Sequence, residues 1–248
     1  MTFGVFLLEN KHYLCKKYQY NMKIGIIVAM DKEFVQLKTL LTDTTVERYH
    51  HKDFVTGKVG DKDVVIQKCG IGKVNSAIGA VEMIDRYSPD LVISTGVAGG
   101  ADVEMNVTDV VAGTSYCYHD AYCGDECEFG QILGMPAKFD APAALVEKAT
   151  NLDTDIPVHA GLIVSGEWFV NSKEKMQGIL DNFPKAKAVD MESCSIAQTC
   201  HTYHVPFISF RIISDIPLKD NKAEQYFDFW ARLADGSFNV TKKFLESI

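Results

Sequence analysis

No apolar run in the 248-residue chain reaches the roughly 18–20 residues needed to cross a bilayer. The short stretch Gly4–Leu8 precedes the charged stretch Lys11–Lys17, which reverses the order of a secretory signal. Basic charge is also scarce, since 25 Lys and Arg stand against 33 Asp and Glu for a formal net charge of -8. That sign gives neither nucleic acid nor an anionic membrane a general electrostatic grip, so a small molecule is the expected partner. The seven cysteines, spread from Cys15 to Cys200, lack the dense spacing of a secreted disulfide scaffold. Reduced thiols in the cytoplasm are expected, most of them small buried hydrophobes. No internal repeat, low-complexity tract or Pro/Gly/Ser-rich linker divides the chain into two cores.

What is present is a chain 47% hydrophobic, enough to bury a large core as one α/β unit. A clean strand pattern begins at Met22, so residues 1–21 read as an N-terminal extension, disordered or even untranslated, before one catalytic domain over 22–248. Ile24–Ala29 is a continuous apolar run suited to a strand covered on both faces, and Asp31–Leu41 follows as a helix with acidic residues at its start. Further strands are expected at Val64–Gln67, Leu91–Thr95, Asp109–Ala112, Val158–Val164 and Phe207–Ile213. Helices are expected at Lys73–Tyr87, Lys173–Phe183, Ser193–His204 and Glu224–Glu246. This alternation predicts a three-layer α/β/α sandwich around a mixed, mostly parallel twisted sheet.

Ligands of open α/β sheets sit beyond the carboxyl ends of the strands, and four such ends here carry unusual sequence. After the first strand comes Met30-Asp31-Lys32-Glu33, where Glu33 is placed to activate a water or merely to complement a helix N-terminus. Cys69-Gly70-Ile71-Gly72-Lys73 resembles the opening of a nucleotide loop. It fails as Walker A because Gln67 stands where glycine is required, and as a dinucleotide fingerprint because Asn75 does. Thr95-Gly96-Val97-Ala98-Gly99-Gly100 reads as a turn whose glycines let backbone N–H groups approach a ligand, or as a tight turn with no ligand. Val189-Asp190-Met191-Glu192 ends a strand with Glu192 placed to accept hydroxyls, or to cap a helix. Arg211-Ile212-Ile213-Ser214-Asp215 closes the last strong strand. Alternation there sends Arg211, Ile213 and Asp215 to one side and Ser214 to the other, with a plain surface ion pair as the rival reading.

Taken together, KIGIIVAMDKE (23–33), KCGIGKVNSAIGA (68–80), STGVAGG (94–100), YHDA (118–121), GLIVSG (161–166), VDMESCSIAQTCH (189–201) and RIISD (211–215) touch almost every strand end. In these segments the chain resembles the 5′-methylthioadenosine/S-adenosylhomocysteine nucleosidases of the nucleoside phosphorylase superfamily, from about Met22 to the C-terminus. The resemblance implies hydrolysis of an adenine nucleoside at its N-glycosidic bond, with no cofactor and no metal, by a homodimer in which the 119–136 region approaches the neighbour's site. It assigns the attacking water to Glu33, the ribose hydroxyls to Glu192, adenine N7 and the 6-amino group to Asp215, and support of the water and Glu192 to Arg211. It also implies substrate contacts from Met30, Ile71, Val97, Ala98, Gly99, Phe169, Val170, Met191, Ser214 and Phe227. Of these, Phe169 would stack on adenine and the Val170 backbone would bond the base edge, with core packing as the alternative for both.

The match departs in places. Val28 stands where many members have glycine and Val97 where many have serine, while Tyr122–Phe129 is one residue shorter and more polar than the usual segment enclosing the 5′-alkylthio group. A phosphorylase on the same fold is the nearest rival, but the acidic Met30–Glu33 segment occupies the place of its glycine–arginine phosphate site. Cys117, His119, Cys123 and Cys127 offer a zinc site whose spacing fits no familiar pattern. A non-catalytic adenine-nucleoside binder is a further alternative.

Overall fold

The computed structural model describes residues 22–219, 229 and 238–248. The extension expected over residues 1–21 and most of the helix expected over Glu224–Glu246 fall outside them. In chain order the elements are β1 (Lys23–Val28), α1 (Asp31–Lys38), β2 (Thr42–Tyr49), β3 (Lys52–Val59), β4 (Lys62–Lys68), α2 (Lys73–Tyr87), β5 (Leu91–Gly100) and β6 (Val110–Tyr118). There follow β7 (Phe139–Asp140), α3 (Ala143–Thr150), β8 (Val158–Ser165), α4 (Lys173–Asn182), β9 (Ala186–Asp190), α5 (Ser193–Thr202), β10 (Phe207–Asp215) and α6 (Asn239–Ser247). Among the described residues no helix is long and apolar enough to cross a membrane.

Among the described residues, ten strands form one mixed sheet, in the order β10-β6-β8-β9-β5-β1-β4-β3-β2 with β7 beside β6. Parallel pairings join β1 to β4 and β5, β10 to β5, and β8 to β6 and β9, while as many antiparallel ones come from the hairpins and from β10–β6 and β5–β9. Because β10 also pairs β5, five of the strands close into a ring. β1 lies between β4 and β5, and its Ile24, Ile26 and Ile27 are fully buried, which explains its unbroken apolar run.

Alternation along β10 and β5 assigns the helices to two faces. Phe210 packs its ring on Phe244 of α6, and Thr95 bonds Thr241 of α6 through their hydroxyls at 3.0 Å. The neighbouring Ser209 turns the other way, to the Ser193 hydroxyl of α5 at 2.7 Å. The sheet is thus sandwiched between helical layers, as the strand–helix alternation predicts.

One hairpin is unexpected and two sequence expectations change. The exposed strand β2 and its partner β3 form a hairpin with no apolar alternation in β2 to announce it. The segment Gly96–Gly100 is not a turn: β5 runs on through it, pairing with both β10 and β9, and small residues permit that double approach. Finally, the β10–β5 register shifts between Ile213 and Asp215, a bulge that breaks the alternation assumed for Ser214.

Candidate active site

The carboxyl ends of β1, β5, β9 and β10 open onto a cavity of about 120 Å³. Its wall contains Met30, Glu33, Ile71, Val97, Ala98, Gly99, Phe169, Val170, Met191, Glu192, Ser214 and Asp215, which brings together all but two of the residues singled out in the sequence. Phe227 lies outside the described residues. Arg211 stands behind the wall, lining a small recess of about 10 Å³ that shares Ala29, Glu33, Val97 and Glu192 with the main cavity.

Glu33 both satisfies backbone N–H groups at the start of α1 and reaches the cavity wall. After β1 the chain turns at Ala29–Met30 into α1, and Glu33, in the first helical turn, folds back so that Oε2 accepts the Ala29 and Met30 N–H groups at 3.0 and 2.9 Å. Its other oxygen accepts the Val97 N–H at 3.1 Å while the carboxylate faces the cavity. Burial raises its pKa, opposed by the Met30 N–H, Arg211 and the Val97 and Ala29 N–H groups.

Glu192 is the second residue beyond β9 and leads into α5, but its side chain does not cap that helix. Instead Oε1 accepts the Gly72 N–H at 3.0 Å, from the loop that opens α2, where Gly72 holds φ 95. The glycine loop that looked like a phosphate cradle therefore presents this amide to a carboxylate of the chain itself. Burial pushes the Glu192 carboxyl up to about 7, reinforced by Asp190 and Glu33 and opposed by Arg211 and the Gly72 N–H.

The capping role falls to Asp190, which sequence reasoning passed over. It accepts the Ser193 N–H and hydroxyl, the Ser165 hydroxyl at 2.5 Å and Arg211 Nε at 2.5 Å. Arg211 is thus held chiefly by Asp190 and by the Ser94 hydroxyl at 2.9 Å, with Glu192 Oε2 farther away at 4.0 Å. The available signal was a second carboxylate two residues before Glu192 at a strand–helix junction. Trp168, Ala29 and Val189 also line the cavity without having been singled out as contacts.

At the far end, the bulge in β10 brings both Ser214 and Asp215 to the cavity, correcting the expectation that they diverge. The Ser214 hydroxyl donates to Asp215 Oδ1 at 2.7 Å. Phe169 is 59% exposed and Val170 8%, so Phe169 is a cavity-rim side chain rather than a core residue, whereas Val170 anchors in a cluster with Met176 and Phe183.

The cysteine and histidine residues considered for zinc are dispersed in burial and contacts. Cys117 is buried among apolar side chains, His119 is buried with its ring 5.5 Å from that of Trp168, and Cys123 is exposed. Among the described residues no group of three or more ligating side chains is placed to hold a metal.

Gly96 fixes how closely Glu33 approaches the sheet. A Cβ there would lie 2.6 Å from Glu33 Oε1 and 3.1 Å from its carboxyl carbon. Gly96→Ala is expected to displace the carboxylate and lower turnover by about 10²-fold, a typical consequence of a misplacement near 1 Å, while the thermal unfolding midpoint changes little. Near-normal turnover in that variant would remove Glu33 from the chemistry.

The chain is similar to known proteins over most of its length. Residues 23–246 match the model of the phosphorylase superfamily. The chain is 44% identical over 228 residues to a 5′-methylthioadenosine/S-adenosylhomocysteine nucleosidase of Exiguobacterium sp., covering 89% of this chain and 95% of that one. Among solved structures, the nucleosidase of that name from Colwellia psychrerythraea in complex with adenine superimposes with a TM-score of 0.85 at 34% identity, covering 92% and 96% of the two chains. The Neisseria meningitidis nucleosidase in complex with methylthio-immucillin-A gives a TM-score of 0.85 at 32% identity, covering 91% and 99%.

Proposed function

The chain belongs to the 5′-methylthioadenosine/S-adenosylhomocysteine nucleosidases of the phosphorylase superfamily, and from that premise we propose that its cavity hydrolyses the N-glycosidic bond of 5′-substituted adenosines, releasing adenine and the free ribose derivative. The observation that carries hydrolysis over phosphorolysis is the buried Glu33 carboxylate beyond β1. A phosphate nucleophile needs a cation there. Glu33 would repel it, and Arg211, the cation behind the wall, is engaged by Asp190 and Ser94.

In this reading Glu33 takes a proton from the attacking water, and Arg211 supports that water and Glu192 from behind. Glu192 accepts the ribose hydroxyls. As the bond stretches, the sugar gains oxocarbenium character, and the two carboxylates stabilise the positive charge more in the transition state than in the ground state. A purine leaves poorly as an anion, so Asp215 supplies a proton to N7 and also contacts the 6-amino group. Phe169 stacks on the base while the Val170 backbone bonds its edge. Met30, Ile71, Met191 and Ser214 shape the remaining walls.

Residues 22–248 act in this proposal as one catalytic domain, in the cytoplasm and as a homodimer whose 119–136 region approaches the partner's site. The exposed apolar side chains Tyr122, Phe129 and Leu133 in that region support such an interface.

Chromatography of the products from methylthioadenosine, S-adenosylhomocysteine, 5′-deoxyadenosine and adenosine, each with and without phosphate, tests the reaction. Adenine is expected at the same rate in both conditions. A strict requirement for phosphate would make the enzyme a phosphorylase.

A further inference from the structure

We propose that Lys73, Asp120 and Glu167 form a latch that positions the adenine-binding segment Glu167–Val170, so that Lys73 and Asp120 govern affinity for the base without touching it. The proposal rests on the reading of Phe169 and Val170 as base contacts. Three separate elements meet here: the start of α2, the chain just past β6, and the segment after β8. The Lys73 N–H donates to Glu167 Oε1 at 2.7 Å, the Glu167 N–H donates to Asp120 Oδ2 at 2.8 Å, and Lys73 Nζ closes the triangle on both Asp120 oxygens at 2.9 Å.

The surroundings make these bonds consequential. Glu167, Trp168 and Phe169 are exposed, and burial begins again at Val170, so the segment has little packing of its own to fix it. The Asp120 side chain is only 8% exposed and Lys73 Nζ lies 5.2 Å over the Tyr118 ring, so the ion pair is partly shielded from solvent screening. The same loop of α2 donates its Gly72 N–H to Glu192. One helix start therefore holds both the carboxylate assigned to the ribose and the segment assigned to the base, fixing their separation.

The test compares Lys73→Met, Asp120→Ala, the double variant and the conservative Lys73→Arg and Asp120→Asn with the wild type, measuring kcat and KM for methylthioadenosine and the calorimetric Kd of free adenine. Lys73→Met and Asp120→Ala are each expected to raise KM and the adenine Kd by about tenfold with a much smaller change in kcat, the effect of losing a charge-assisted hydrogen bond that acts on ground-state and transition-state binding alike. The double variant should be no worse than either single, and Lys73→Arg should recover most of the loss. Unchanged adenine Kd, or additive effects, would overturn the latch. If Asp120→Ala does not fold, Asp120→Asn, which keeps an oxygen for the Glu167 N–H but loses the charge facing Lys73, should show the same rise as Lys73→Met. A wild type that binds adenine but cleaves no nucleoside would defeat the proposed reaction, while the adenine Kd series would still decide the latch.

Discussion

Glu192→Gln is expected to give a folded protein that releases adenine about 10²–10⁴-fold more slowly than the wild type and resists unfolding better at pH 8. Shape and the Gly72 contact survive, because the amide oxygen of glutamine can still accept that N–H at the wild-type distance of 3.0 Å. What disappears is the negative charge proposed to stabilise a developing oxocarbenium ion. The gain in stability comes from the crowding of carboxylates. Glu33, Asp190 and Glu192 are all buried around the single guanidinium of Arg211, and Arg211 Nε is already committed to Asp190.

The pH dependence has a definite sign. The Glu192 carboxyl is raised from 4.5 to about 7 in the folded state, so between those values the native protein holds a proton that the unfolded chain has released. This contribution is fully present below pH 4.5 and fades as pH rises through about 7, where charge must be carried in a buried site. The wild type should therefore lose stability relative to Glu192→Gln as pH rises from 4.5 to 8. Urea unfolding of both proteins across that range measures it. A Glu192→Gln curve parallel to the wild type, or near-normal turnover, would show that this carboxylate does not carry the charge assigned to it.

Much of this arrangement is legible in the sequence because it lies at strand ends. The apolar run at Ile24–Ile27 announces an interior parallel strand, and Lys73–Tyr87 is a helix over the whole predicted span. Glu33, Glu192 and Asp215 follow such strands, so their convergence needs only the general rule for α/β sheets. What the sequence withholds is set by tertiary pairing. Asp190 and Glu192 stand two residues apart, and nothing local says that Asp190, not Glu192, grips Arg211. The direction of Ser214 depends on a bulge where β10 pairs with β5. The strand β2 has almost no buried residue, so its place at the sheet edge comes from pairing with β3 and leaves no hydrophobic pattern to read.

Asp215→Asn separates the two halves of the proposed chemistry. If Asp215 protonates N7, its amide replacement should release adenine at least about 10²-fold more slowly, with nucleoside affinity much less affected, since asparagine keeps an oxygen that can accept from the 6-amino group and from Ser214. A substrate whose leaving group departs readily as an anion, such as a nitrophenyl riboside carrying the 5′-methylthio group, needs no such proton. Asp215→Asn should therefore cleave it at close to the wild-type rate. Glu33→Gln and Glu192→Gln should be slow on both substrates, because water activation and stabilisation of the sugar cation are required whatever leaves. The ratio of the two rates in each variant is the measurement. Equal losses on adenine and nitrophenyl substrates in Asp215→Asn would mean that Asp215 organises the cavity through Ser214 and the β10 bulge, and that the proton reaches N7 by another route.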